Sequence, residues 1–362
     1  MEMKRNEMKH PHFAFKIKRL LIPAMLLFTL VLNGCANTQE PVQRVFYAMD
    51  TAMQLTVYGE QAEAAIDAAV ERVNEVETLS SAYVSGSDVA KINAAAGKSA
   101  VVVSPEVLKM IRTAVQYGQL TEGAFDITVG PLISLWGIGT DQEKVPTLEE
   151  IRQALALVGQ DDIRINEKES SVMLTKPGMS IDLGGIAKGF AADEILRIFK
   201  EYGIESAMIN LGSSSIYALG AKPNGDPWSV AIRHPRQDGE YLCVVQLTDQ
   251  ALSTSGDYER YFIQNGKRYH HIFDPATGYP AEAGIMSSTV VIDGKTNDCC
   301  MLADILTKAA FVSGTERGFA VIDRLAGISC MAAGSDNGLY CSKNWKLTLS
   351  SLSPDFTLSK TD

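Results

Sequence analysis

Polar and apolar residues alternate from Gln54 to Tyr58, in the second half of a run that begins at Phe46, so a single strand is predicted over 46–59. The period then lengthens. Ala64, Ala65, Ala68, Val73 and Val76 recur at helical spacing and predict a helix over 61–78 with one apolar stripe. Ser104-Pro105-Glu106 supplies an N-cap and a first-turn proline for a second helix, carried by Val107, Ile111 and Val115 to about Leu120. Residues 123–131 read as a loop bounded by glycines, and Thr147-Leu148-Glu149-Glu150 as a capping box before a third helix. Strands are predicted at 180–182, 207–212, 228–233, 243–247 and 288–292, and a last helix over 301–311. Short strands that follow one another without a helix between each pair predict an α+β fold with largely antiparallel sheets and packed helices.

Three stretches carry polar groups beside backbone punctuation. Ser180 to Phe190 places Asp182 before Gly184-Gly185 and a helix bearing Lys188, where the backbone can approach a ligand closely; a plain glycine hinge explains it equally well. It matches neither a dinucleotide-binding G-x-G-x-x-G nor a P-loop. Leu252 to Tyr261 is dense in hydroxyls and charges. With Asn265-Gly266 as a type I′ turn it predicts a hairpin of strands 252–263 and 268–273, which would hold Arg260 near His271. Arg260 then fits either a phosphate contact or a surface ion pair. His270 to Pro280 reads as a short β run ending in an Asp274-Pro275 turn, and offers imidazole, carboxylate and hydroxyl to one ligand. On the last helix Asp304 and Thr307 share a face, a pairing that suits a hard cation or simply places a carboxylate near a helix N-terminus.

The N-terminus changes the picture of where the protein works. Residues 1–19 are basic and Leu20–Leu32 is almost wholly apolar, a run shorter than the ~20 residues that span a bilayer. It stops at Leu32-Asn33-Gly34-Cys35, which resembles a bacterial lipobox. The expected organisation is therefore a signal peptide over 1–34, a tether over 35–44 beginning at lipid-modified Cys35, a globular domain over 45–345 and a tail over 346–362, held on the extracytoplasmic face of a membrane. A net charge of −10 argues against non-specific nucleic-acid binding. The five cysteines beyond Cys35 are odd in number and include no C-x-x-C pair, which speaks against a zinc site and a dense disulfide framework.

Taken together, Met49-Asp50-Thr51, Gly123-Ala124-Phe125-Asp126, Asp182 to Gly189, Ser253 to Arg260, His271-Ile272, Asp274-Pro275, Thr277-Gly278 and Ala303-Asp304 resemble the FAD:protein FMN transferase family, in this order and over most of the mature chain. The resemblance implies a T-fold-like α+β architecture. It also implies magnesium-dependent transfer of FMN from FAD to a Ser or Thr hydroxyl of a membrane or extracytoplasmic acceptor protein, through a phosphoester and with release of AMP. Met49, Tyr83, Ala124, Phe125, Asp126, Asp182, Lys188 and Ile272 would then line the FAD pocket, and His271 and Arg260 would act on the pyrophosphate. Asp257 or Asp274 would orient the imidazole. Magnesium would be held by Asp304, a nearby hydroxyl and the Gly185 carbonyl. The family helix reads Ala-Asp-x-Leu-Ser-Thr, whereas this chain has Leu306-Thr307-Lys308. Thr307 is expected to take over coordination; the alternative is that Lys308 replaces part of the metal's charge. Two other functions remain open on the same residues: an FAD-binding lipoprotein without transferase activity, and a pyrophosphatase that hydrolyses FAD to FMN and AMP.

Overall fold

The computed structural model describes residues 40–359, so the expected signal peptide, Cys35 and the first part of the tether lie outside the described residues. Its centre is a nine-stranded sheet whose strands lie side by side in chain order. They are β1 (Val42–Ala48), β2 (Thr51–Tyr58), β3 (Ser206–Leu211), β4 (Ser215–Leu219), β5 (Gln250–Gly256), β6 (Ile285–Asp293), β7 (Ile328–Gly334), β8 (Gly338–Cys341) and β9 (Thr357–Ser359). Every neighbouring pair is antiparallel except β8 and β9, which run parallel. The α+β class and its antiparallel sheet are therefore as the pattern of the chain predicted.

Seven helices are present among the described residues: α1 (Ala62–Ser80), α2 (Asp88–Ala94), α3 (Pro105–Leu120), α4 (Gly130–Trp136), α5 (Leu148–Leu155), α6 (Ala187–Glu201) and α7 (Cys299–Ile322). The stripes of α1, α6 and α7 cover one face of the sheet, where Leu55, Ile209, Val290 and Ile292 meet Ile66, Val73, Ile195 and Leu306. On the other face Ile216, Leu252, Val291 and Met331 pack on the hairpin Trp228–Arg233/Tyr241–Leu247. Both faces of β6 are thus buried from Ile285 to Ile292, which is why that stretch is apolar or small instead of alternating. Local signals hold where chemistry is explicit. Ser104 accepts from the Val107 N–H at the start of α3, and Thr147 and Glu150 close a reciprocal capping box on α5.

Other expectations are corrected. The run 46–59 is two strands, because Met49 and Asp50 both take left-handed backbone (φ 48° and 61°) and turn the chain between Ala48 and Thr51. Residues 180–182 form no strand; Asp182 N–H instead donates to the Ile127 carbonyl at 2.8 Å. The predicted strand 252–263 is cut at Asp257–Arg260. Its first part is β5 of the large sheet, and its second, Tyr261–Gln264, pairs with Lys267–His270 through an Asn265-Gly266 turn with φ 53° and 76°. The 123–131 loop contains a 3₁₀ turn, capped by Asp126, that leads into α4. Strand β1 begins at Val42, inside the segment read as tether. Residues 346–359, read as part of a tail, are folded: Phe356 is buried with Leu339 and Val245, and β9 pairs with β8. Cys243, Cys299, Cys300 and Cys330 carry free thiols.

Candidate functional site

Turns and helix starts from distant parts of the chain surround a cleft of about 720 Å³. The β1–β2 turn brings Met49, the loop after α1 brings Tyr83, and the segment before α4 brings Ala124, Phe125 and Asp126. Asp182 and Gly185 come from the turn into α6, Lys188 from its first turn, and Arg260, His271 and Ile272 from the two ends of the small hairpin. Eleven residues singled out from sequence thus share one cavity. Asp304 and Thr307 do not line it; both are fully buried beneath its floor on α7.

The two adjacent histidines separate. His270 points into the core, accepting from Ile272 N–H through Nδ1 (3.2 Å), facing the Ala281 carbonyl through Nε2 (3.0 Å) and standing edge-on to Phe311. His271 faces the cleft. Its Nδ1 lies 3.3 Å from the Arg260 carbonyl, which makes Nδ1 the protonated nitrogen and leaves the Nε2 lone pair for a ligand. Neither carboxylate expected to orient this ring does so. Asp257 is held by both guanidinium nitrogens of Arg236 at 2.7 Å, and Asp274 closes its own turn by accepting from Ala276 N–H and the Thr277 hydroxyl. Burial, with His270 and Arg260 close by, pushes the His271 imidazole down to about 3, so it is neutral.

Charge in the cleft is mixed. Burial raises the Asp126 and Asp182 carboxyls above the ordinary range, although Asp126 accepts from Thr128 N–H and hydroxyl and Asp182 accepts from Gly184 N–H. Arg260 reaches across the mouth to within 3.6 Å of Asp50. Its guanidinium is half exposed, so this ion pair is weak and the group remains available to an anion. Lys188 donates to the Ser214 hydroxyl on the β3–β4 turn.

The donor set below the floor does not fit a magnesium ion. Asp304 Oδ1 accepts from the hydroxyls of Ser215 and Ser253, both at 2.7 Å, and Oδ2 accepts from Gly189 N–H at 2.7 Å. Ser253 Oγ also lies 2.8 Å from the Ser214 carbonyl, so its single proton is shared between two acceptors. Thr307 donates to the Ser288 carbonyl at 2.8 Å, and the Ser288 hydroxyl, which donates to the Thr307 carbonyl, stands 2.9 Å away, so the Thr307 hydroxyl is turned toward β6. The Lys308 ammonium stands 3.8 Å from Asp304 Oδ1. A divalent ion bound to that oxygen would stand close to the ammonium and be repelled by it. Of the two residues of the 307–308 pair, Thr307 faces Ser288 on β6 and Lys308 lines the cleft. Ser214, Ser215 and Ser253 are functional neighbours that sequence reasoning left unassigned; the hydroxyl-rich runs Gly212–Ser215 and Ser253–Ser255 were their only signal.

Comparison with known proteins adds an independent line. A family model described as the ApbE family matches residues 49–332. A "FAD:protein FMN transferase" of Klebsiella pneumoniae is 33% identical over 305 residues, covering 84% of this chain and 92% of the relative. Two solved structures, an ApbE protein from Thermotoga maritima and the flavin transferase ApbE from Vibrio cholerae, each superpose with a TM-score of 0.74 at 31% identity. Each comparison covers 86% of this chain and 97% of the other.

Proposed function

The chain belongs to the ApbE family, and we propose that it transfers the FMN half of FAD to a Ser or Thr hydroxyl of another protein. The observation that carries this reading is the cleft itself: a cavity large enough for a dinucleotide in which a neutral imidazole and cationic side chains converge. In the reaction, the acceptor hydroxyl gives its proton to Nε2 of His271 while its oxygen bonds to the FMN phosphorus. The bond from that phosphorus to the bridging oxygen breaks, and AMP leaves carrying that oxygen as part of its phosphate. Arg260 and Lys188 stabilise the charge that gathers on the pyrophosphate, and the Arg260 carbonyl keeps the imidazole in the working tautomer. A pyrophosphate beside His271 also raises the affinity of that ring for a proton.

We also propose that Cys35 is lipid-modified and holds the domain on the extracytoplasmic face of a membrane. The support is the basic 1–19 segment, the apolar run and the Cys that ends it. No helix among the described residues is long and apolar enough to cross a membrane.

The test is incubation of the purified protein with FAD and a membrane extract of its host, followed by a denaturing gel read for flavin fluorescence. A covalent fluorescent band with AMP release is expected, and His271→Ala loses both while still binding FAD. AMP release that needs no acceptor would identify a pyrophosphatase, and bound FAD with neither product a carrier.

A further inference from the structure

Lys308 occupies the space between two groups that the chain would otherwise offer to a cation. Its stem lies along Gly185: a Cβ placed on that glycine would meet Lys308 Cδ at 3.3 Å and Cε at 3.5 Å. Its ammonium donates to the Asp304 carbonyl at 3.1 Å, faces Asp304 Oδ1 at 3.8 Å and belongs to the cleft lining. An ammonium has three N–H groups; one is used by the carbonyl, and the carboxylate at 3.8 Å lies beyond hydrogen-bond distance, which leaves two for a ligand in the cleft.

We propose that Lys308 is the built-in counter-cation of this cleft, so that FAD is bound through its pyrophosphate and the transfer runs without a divalent metal. The proposal rests on the flavin-transfer reading above. Lys308 does not act alone. Lys188 and Arg260 line the same cavity, and both bear on one another electrostatically. Burial lowers the affinity of Lys188 for its proton, Asp304 counters this, and Lys308 and Arg260 lower it further. Three cations crowded in this way are relieved by a ligand with two negative charges, which a pyrophosphate diester supplies. The anchoring below is rigid: Asp304 is fixed by Ser215, Ser253 and Gly189, so the ammonium is held at one place without a metal shell to assemble.

The experiment is a titration of the full chain with FAD, read by quenching of flavin fluorescence, in EDTA and in magnesium chloride, alongside the flavinylation gel under both conditions. FAD affinity and transfer are expected to agree within about threefold with and without magnesium. Lys308→Thr should weaken FAD binding in EDTA by about tenfold or more, the factor set by loss of one charge-assisted hydrogen bond. It should recover part of that loss when magnesium is added. Lys308→Met keeps the packing on Gly185 and should show the loss without the recovery. If either substitution unfolds the protein, the parent's behaviour in EDTA still decides. A parent whose FAD affinity or transfer collapses in EDTA and returns with magnesium overturns the proposal and leaves the transferase reading standing. A parent that binds no FAD in either condition overturns both.

Discussion

His270 and His271 differ by one position and face opposite sides of a β segment, so one completes the core and the other enters the cleft. Sequence located the pair and assigned the chemistry to His271, but its orienting partner is a backbone carbonyl, which carries no residue-type signal. The shift of His271 has a testable sign. An ordinary imidazole charges as pH falls through 6.5, whereas this one stays neutral down to about 3. The pH profile of kcat/KM, which reports the free enzyme, should therefore show no loss from His271 between pH 8 and 5. A drop centred near pH 6.5 that disappears in His271→Asn would contradict the neutral ring. His271→Ala should lower transfer by about 100-fold or more, the usual contribution of a positioned base.

At the scale of elements, the site depends on how closely α6 and α7 approach. Gly189 sits where a Cβ would lie 2.4 Å from the Cys300 carbonyl oxygen and 2.6 Å from Met301 Cα, and its N–H donates to Asp304. Asp193, one turn further along α6, accepts from the Cys300 and Met301 N–H groups and so caps α7 from the side. Gly189→Ala should force the helices apart, lowering stability by about 1–3 kcal/mol in urea unfolding. It should also weaken FAD binding, because Asp304 and Lys308 move with α7. Unchanged FAD affinity in a folded variant would show that the floor does not depend on this contact. The helix starts were legible because Ser104 and Thr147 state their caps in side-chain chemistry. The Met49-Asp50 turn was not, because neither residue type announces positive φ, and the two sheets that share 252–263 were not, because strand continuity depends on partners.

For the molecule as a whole, the segment after Trp345 is part of the fold although its sequence shows no periodicity. Phe356→Ala should cost about 3 kcal/mol by opening the core between the sheet and the Trp228–Leu247 hairpin, measured by denaturant unfolding. Cys35→Ser should move the protein from the membrane to the soluble fraction and abolish incorporation of labelled fatty acid, with FAD binding unaltered; membrane retention without lipid would sink the anchor reading. The sequence by itself determined the class of the fold, helix caps at Ser104 and Thr147, the type I′ hairpin turn and eleven of the residues that line the cleft. Each of these is written in side-chain type, short-range spacing or likeness to a known family. Only the tertiary structure decided that Thr307 turns to Ser288 while Lys308 reaches Asp304. The two are adjacent on one helix, and which side chain meets the cleft depends on the rotation of α7 against β6, a long-range packing choice that local spacing does not encode.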